Sequence, residues 1–212
     1  MSPKFPGKLL SIALLVLPGF LIGACNSSSS APPTADSWVR INAAGELATK
    51  TDHRCVLDRR TGLMWEVKTA GAGLHFSGNS YTWLSSDRVR HMTVPGTPDG
   101  GLCEGSPCDT ERFVTAVNEA KLCGFSDWYL PSRSELMTLG DPQLVGTGLV
   151  IDRSFFPQAE AREYWSAETF RLYPKSAWLV DTRHGLDRVD LKSEAKGVRV
   201  VRRHQAPTGD AP

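Results

Sequence analysis

Positively charged side chains concentrate near the C-terminus of this 212-residue chain, where they outnumber the acidic ones. Arginine pairs bidentately with carboxylate and sulfate groups, so such a cluster predicts an anion-binding surface. The alternative is a solvated strand surface on which charges of both signs alternate. Strand periodicity also places Arg199 and Arg202 on opposite faces of the last strand. The candidate ligand-binding residues are Arg183, Arg188, Lys192, Arg199 and Arg202.

The overall charge excludes a general attraction to polyanions. The sequence carries 24 Lys and Arg against 23 Asp and Glu, a net charge of +1. Such a protein has no long-range field that steers nucleic acid, so we expect no nucleic-acid partner. The five histidines show no metal-ligand spacing, and GxSxG, GxGxxG, P-loop and HExxH motifs are absent from the sequence. We therefore expect no catalytic activity, no cofactor and no bound metal.

Five cysteines define the redox chemistry open to this chain. Cys25 belongs to an export signal, and the remaining four form an even set, which predicts two disulfides in an exported protein. Four cysteines allow three pairings. We favour Cys103 with Cys108, which closes a Gly-rich loop, and Cys55 with Cys123, which ties an early strand to the end of a helix. A zinc site is the alternative, but the chain offers neither a CxxC pair nor a histidine cluster.

The N-terminus has the pattern of a lipoprotein export signal. Lysines at positions 4 and 8 precede a short apolar run, and residues 22–25 (IGAC) match a lipobox. The run is too short and too often interrupted by Pro and Gly for a typical membrane span. The pattern predicts cleavage before Cys25 and a stable lipid anchor on that cysteine. An ordinary signal peptide is the alternative. Asn26 after the cysteine favours the bacterial outer membrane, by analogy with Gram-negative sorting.

The composition along the chain indicates four segments. We predict a signal peptide over residues 1–24, then the lipidated cysteine and a Ser/Pro-rich tether over 25–40. Residues 41–205 suit one domain, and 206–212 form a loose tail.

Periodicity predicts the elements that position the candidate residues. Apolar residues from Phe113 to Ala120 have helical spacing, and Asp109 or Thr110 can cap this helix. Ser132 and Glu135 form a capping box at the start of a second helix. The remaining elements are short strands arranged as an antiparallel meander, separated by long loops between residues 68 and 101. The strand segments are CVLD, LMWEV, YWSAE, AWLVD, RVDL and GVRVVRR.

Three tryptophans sit at strand and helix junctions and have two interpretations. Trp128, Trp165 and Trp178 could stack on sugar rings, but tryptophan in such places usually belongs to the core. Arg133 and Glu135 are interpreted as fixing the start of the second helix rather than as ligand contacts.

Several motifs carry a resemblance to a known family. The segments CVLDRRTGLMWEVKT, YTW, LCGFSDWYLPSRSEL, IDRSFFP, YWSAE and GVRVVR occur between Cys55 and Arg203. In kind and order they resemble the DUF1566, or Lcl C-terminal domain, family. The resemblance implies an α+β, C-type-lectin-like fold: small, mostly antiparallel sheets with two helices and long loops. It also extends to formylglycine-generating-enzyme-like domains. That oxidase chemistry is not expected here, because it relies on cysteines in the C-terminal part and none follows Cys123.

The resemblance implies a binding function rather than a reaction. The family includes a collagen-like adhesin that recognises glycosaminoglycans, although this chain has no collagen repeat. We expect an outer-membrane lipoprotein with a lectin-like domain that binds a sulfated or acidic glycan. The alternative is a structural or envelope-assembly lipoprotein that binds another envelope protein.

Overall fold

The computed structural model describes Met1 and residues 37–204. The predicted signal peptide, the lipid-bearing Cys25, most of the tether and the C-terminal tail lie outside the described residues. The described part is α+β, with seven strands in two small antiparallel sheets and three short α-helices. The expected fold class is therefore confirmed at the level of mostly antiparallel sheet with few helices. None of the described helices is long and apolar enough to cross a membrane.

The four-stranded sheet contains the two earliest predicted strands and the last one. Its order is β1–β2–β3–β7, and each neighbouring pair is antiparallel. Gly62 lies in the tight turn between β2 and β3 with a φ of +68°, a conformation that glycine adopts without strain. The bounds are Trp38–Ile41 for β1, Cys55–Asp58 for β2, Leu63–Glu66 for β3 and Val201–Arg203 for β7.

The three-stranded sheet is a true meander of β4, β5 and β6, with bounds Glu163–Thr169, Ser176–Asp181 and Leu186–Leu191. The prediction that the last strand continues this meander was wrong. Strand β7 leaves this sheet and pairs with β3, where Trp65 lies opposite Val201. The strand is also shorter than the GVRVVRR segment, so Val198 and Val200 lie in an extended connection that is buried without being part of a strand.

Both predicted helices are present, and a third was not anticipated. Helix α2 spans Thr110–Glu119 and is capped by the Asp109 side chain, which accepts a hydrogen bond from Arg112 N. Helix α3 spans Arg133–Met137 and has the predicted capping box of Ser132 and Glu135. The additional helix α1, Arg88–His91, is a single turn inside the predicted long-loop region.

The domain begins earlier than predicted. Strand β1 starts at Trp38, whose side chain is buried and packs edge-on against Phe156 with ring centres 5.6 Å apart. Residues 38–40 were assigned to the tether because its Ser/Pro-rich composition dominates that segment. Apolar burial of the tryptophan ties them to the sheet instead.

Side chains from both sheets fill two apolar clusters. In β3, Met64 belongs to one cluster and Trp65 to the other, as strand alternation requires. In β4, Trp165 and Tyr164 divide in the same way. Both faces of β3 and of the first part of β4 are therefore covered, and β3 is buried along its whole length, whereas β6 is mostly exposed. The disulfide from Cys55 to Cys123 lies within the first cluster.

Candidate ligand-binding site

The five predicted basic residues do not form one surface. Arg183 and Arg188 are exposed, and both lie near the carboxylate of Asp181, at 3.6 and 3.9 Å. Arg188 also lies 3.6 Å from a carboxylate oxygen of Glu163. The charge of these two arginines is therefore partly neutralised by acids on the same sheet, and exposed pairs of this kind contribute little energy.

The other three residues are buried, so their placement on a ligand-binding surface was wrong. Lys192 donates to the carbonyl oxygen of Val94 at 2.6 Å and lies 4.1 Å from the centre of the Trp83 ring. Arg199 is fully buried and donates to the backbone oxygen of Glu66. Arg202 forms a bidentate pair with Asp127, with nitrogen–oxygen distances of 2.6 and 3.1 Å. A charge pattern alone did not reveal these partners, which are distant in sequence.

A different group of arginines surrounds an open hollow of about 790 Å³. We call it the Trp178 hollow. Helix α1 forms one wall, the C-terminal end of β4 another, and the start of α3 a third. Four arginines and one glutamate account for the charged residues of its lining. Its principal residues are Arg88, Arg90, Arg133, Glu168, Thr169, Arg171 and Trp178.

Trp178 is held in a defined orientation at this hollow. The guanidinium carbon of Arg133 lies 4.3 Å from the centre of the indole ring, and the Phe170 ring packs perpendicular to it at 5.3 Å. Arg133 in turn binds Asp187 on β6 at 2.9 Å. The ring is only partly buried, unlike Trp128 and Trp165, for which the core interpretation is confirmed. The core interpretation of Trp178 was wrong.

Two arginines of the hollow have no acidic partner. Within the described part of the chain, no carboxylate lies within 4.0 Å of Arg88 or Arg171, and both are exposed. Arg90 lies 3.5 Å from Asp87, and Glu168 accepts a hydrogen bond from the backbone nitrogen of Arg133. Two guanidinium groups therefore remain available for a carboxylate, sulfate or phosphate group.

The hollow also contains an unsatisfied hydroxyl group. The side chain of Thr169 is buried, and its Oγ1 atom has no hydrogen-bond partner in the described residues. An unpaired buried hydroxyl is unfavourable, by about 1–3 kcal/mol. The aromatic surface and the free guanidinium groups of the hollow are groups that can bind an apolar ring face and an anion.

Helix α1 and the segment after it are held in place by contacts with Asp87, Lys192 and Trp83. The Asp87 side chain caps the helix by accepting a hydrogen bond from Val89 N at 2.8 Å. Lys192 holds the carbonyl oxygens of His91 and Val94. Gly96 lies so close to Trp83 that an added Cβ would be 2.0 Å from the Trp83 carbonyl oxygen. The wall that carries Arg88 is thus attached to the core through residues 91–96.

Glu66, Lys68 and His75 form a group of charged and polar side chains inside the protein, and their part is structural. The Glu66 carboxylate is fully buried and accepts hydrogen bonds from Lys68 Nζ at 2.8 Å and from His75 Nδ1 at 2.7 Å. Burial alone would raise the pKa of Glu66, but Lys68 and His75 outweigh it and lower this pKa to about 2. The same burial lowers the pKa of Lys68 to about 8, although Glu66 opposes the change. A carboxylate held by Lys68 and His75 is a fixed charge that stabilises its neighbours.

The four described cysteines form the two disulfides favoured from the sequence. The structure joins Cys55 to Cys123 and Cys103 to Cys108, so all four are consumed in disulfides rather than in a zinc site. Among the described residues, no group of three His, Cys, Asp or Glu side chains could hold a metal ion.

Sequence reasoning missed most of the residues that form the hollow. Arg88 belongs to a segment interpreted as a long loop, Arg171 lies between two predicted strands, and Arg133 was interpreted only as part of a helix start. One signal in the sequence could have pointed to them. Neither Arg88 nor Arg171 lies in the C-terminal strands, where acidic and basic residues are close together. Unpaired cations are better candidates for anion binding than a charge-rich strand, where opposite charges meet across the sheet.

Comparison with known proteins tests the family resemblance. No curated relative and no solved structure matches the chain. The sequence model of the Lcl C-terminal domain matches residues 54–202, which include both disulfides and most of the Trp178 hollow's supporting elements. This match covers well over half of the chain. The resemblance is thereby confirmed, and the chain belongs to the Lcl C-terminal domain family.

Proposed function

We propose that this protein is a non-enzymatic lipoprotein of the bacterial outer membrane whose C-type-lectin-like domain binds an acidic or sulfated glycan in the Trp178 hollow. The observation that carries the proposal is the pair of unpaired arginines, Arg88 and Arg171, beside the partly exposed Trp178. Guanidinium groups recognise the acidic substituent, and the indole offers apolar surface to a sugar ring.

The size and openness of the hollow also support a glycan. A volume of about 790 Å³ exceeds what a single inorganic anion needs and is in the range of sites for small organic ligands. A second hollow of about 280 Å³ adjoins it and shares Arg90 and Ala167 with it. The two adjacent hollows offer room for more than one sugar unit, which suits a glycan chain.

A glycan array with the full-length chain in detergent micelles tests the proposal. We expect binding to sulfated or uronic-acid glycans, weakened by salt because exposed charges are screened over about 8 Å at physiological ionic strength. The double variant Arg88→Gln/Arg171→Gln should lose this binding. The matched control is Lys50→Gln/Arg54→Gln, which removes the same charge elsewhere. Equal binding by both variants, or no binding by the wild type, contradicts the proposal.

Lipidation at Cys25 has its own test. Mass spectrometry of the protein from bacterial membranes should show cleavage before Cys25 and an added mass of acyl groups. The Cys25→Ser variant should lose the acyl groups and leave the outer-membrane fraction. An unmodified Cys25 in the membrane-derived protein would contradict the anchor.

An apolar hollow favours a second candidate function, envelope assembly through a protein partner. It has a volume of about 170 Å³ and lies between α3 and the end of β5. Met137 and Val145, which line it, are exposed. Affinity purification of cross-linked envelope proteins with wild-type chain and with Val145→Asp distinguishes the two. A single protein that copurifies with the wild type but not with Val145→Asp favours envelope assembly. If no specific protein copurifies and the glycan array shows binding, the glycan function is favoured.

A further inference from the structure

A second basic hollow lies away from Trp178, between the segment before β2, the segment after β3 and residues 157–158. We call it the His53 hollow, and its volume is about 390 Å³. It shares no lining residue with the Trp178 hollow. Its polar lining residues include Lys50, His53, Arg54, Lys68, Thr69 and Gln158.

The charge of the His53 hollow is uniformly positive. None of the described residues that line it is acidic. Lys50 and Arg54 are exposed, and no carboxylate in the described part of the chain lies within 4.0 Å of either side chain. Two cations without an acidic partner at one concave site favour a bound anion, because each is free to pair with a ligand charge.

His53 adds an unpartnered polar atom to this site. The residue is 7% exposed, and its Nε2 atom lies 2.7 Å from the carbonyl oxygen of Phe155. Because a carbonyl oxygen only accepts, Nε2 carries the proton, and Nδ1 has no hydrogen-bond partner among the described residues. Nδ1 accepts a hydrogen bond in the neutral ring and donates one in the charged ring.

The protein interior behind the hollow also favours negative charge. Lys68 lines the hollow, and the positive charges of Arg199 and Arg162 act on it. Arg199 is fully buried, and its Nε and Nη2 atoms have no hydrogen-bond partner within residues 37–204. The buried carboxylate of Glu66 is already shared by Lys68 and His75.

We propose that the His53 hollow is a second ligand site, which binds a phosphate group through Arg54, Lys50 and the Nδ1 atom of His53. Hydrogen phosphate carries both an O–H group and charged oxygens, so it satisfies Nδ1 whether the ring is neutral or charged. Sulfate lacks the O–H group at neutral pH and satisfies only the charged ring. This site is independent of the glycan site.

Calorimetric titration of the full-length chain in detergent micelles with inorganic phosphate tests the site. We expect saturable binding, with sulfate weaker by about tenfold because one hydrogen bond is lost. The variant Lys50→Gln/Arg54→Gln should lose at least about tenfold in phosphate affinity. Arg153→Gln/Lys175→Gln removes the same charge at exposed positions outside both hollows and should keep phosphate affinity. Equal losses in the two variants overturn the proposal, and so does a wild type that binds neither inorganic phosphate nor vesicles that contain phosphatidic acid.

Nitrogen NMR locates the phosphate without a variant that might misfold. The Nδ1 resonance of His53, assigned with His53→Gln, should shift along the same titration curve as the calorimetric signal. Phosphate binding that leaves this resonance unchanged overturns the role of His53.

The same site can read phosphate on a soluble molecule or on a lipid headgroup. Vesicles of phosphatidylcholine with and without phosphatidic acid distinguish the two sources. Binding to inorganic phosphate identifies a soluble ligand, whereas binding only to the phosphatidic acid vesicles, lost in Lys50→Gln/Arg54→Gln, identifies a lipid. Both results support the site. The glycan array is read separately, so either proposal can fail while the other stands.

Discussion

The guanidinium of Arg133 lies over the indole ring of Trp178, with its central carbon 4.3 Å from the ring centre. Arg133 is the first residue of α3, Trp178 is in β5, and the Asp187 partner of Arg133 is in β6. Three elements therefore set the orientation of one partly exposed ring. Such a ring is arranged before any ligand arrives, which reduces the entropy lost on binding.

Removing the indole should weaken glycan binding without unfolding the protein. We expect Trp178→Ala to reduce affinity for an acidic oligosaccharide by about tenfold, because the aromatic contact is lost. The loss of stability should stay below the 3–5 kcal/mol typical of a buried tryptophan, since Trp178 is partly exposed. Calorimetric titration measures the affinity. Tyr173→Ala, an exposed aromatic outside the hollow, is the control, and equal affinities of the two variants would contradict the assignment.

Neutralising Glu66 should destabilise the core. Glu66→Gln leaves Lys68 as a buried cation without its carboxylate, so we expect a loss of about 3–5 kcal/mol in the free energy of unfolding. Urea denaturation measures this loss. Glu168→Gln, at an exposed position, should change stability by less than about 0.5 kcal/mol. Similar values for the two variants would show that Glu66 does not balance the charge of Lys68.

Acid should remove the stability that Glu66 contributes. Its pKa in the folded protein, about 2, lies below the ordinary value of 4.5, so the unfolded chain binds the proton first. The contribution is complete above pH 4.5 and is lost as the pH falls toward 2. The pKa values of Asp127, Asp181 and Asp190 are also lowered and act in the same direction. Unfolding free energy measured across this window should fall less steeply in Glu66→Gln, and parallel slopes would refute the assignment.

Raising the pH above 8 should increase the stability of the protein through Lys192. Burial lowers the pKa of this residue from 10.5 to about 8, so the unfolded chain holds the proton more tightly. Stability from Lys192 therefore increases as the pH rises from 8 to 10.5. Lys68 contributes with the same sign. In urea denaturation across this range, Lys192→Met should show a smaller increase than the exposed control Lys175→Met, and an unchanged increase would exclude the effect.

The two disulfides should differ in their contributions. Cys55 and Cys123 are 68 residues apart, whereas Cys103 and Cys108 are 5 apart. Chain-entropy arguments give about 4 kcal/mol for the longer loop and about 2 kcal/mol for the shorter one. Replacing each pair by alanine and comparing urea midpoints measures the difference. A larger loss from the Cys103–Cys108 pair would show that chain entropy does not decide the order.

The sequence predicted local features well and distant pairings poorly. The capping box at Ser132 and Glu135, helix α2 and the early hairpin depend on residues within a few positions of each other, and all are present. The pairing of β7 with β3 joins residues 136 to 140 positions apart, such as Trp65 with Val201, and no local pattern marks it. A meander was the simplest interpretation because consecutive strands usually pair.

The candidate site shows the same limit. The basic residues near the C-terminus looked like a surface because their acidic and carbonyl partners, such as Asp127 for Arg202 and Val94 for Lys192, are distant in sequence. Long basic side chains can be buried along apolar surface when such partners exist. Which arginines lack an acidic partner is a property of the folded chain, and Arg88 and Arg171 are two such arginines at one hollow.

The most direct test of the central claim is the indole N–H resonance of Trp178 during titration with an acidic oligosaccharide. The six tryptophans give separate signals, and Trp178→Phe identifies the one that matters. The account predicts that this resonance shifts with saturation, and that the shift disappears in Arg88→Gln/Arg171→Gln. Saturable binding that leaves the Trp178 resonance unmoved would place the ligand elsewhere and contradict the account.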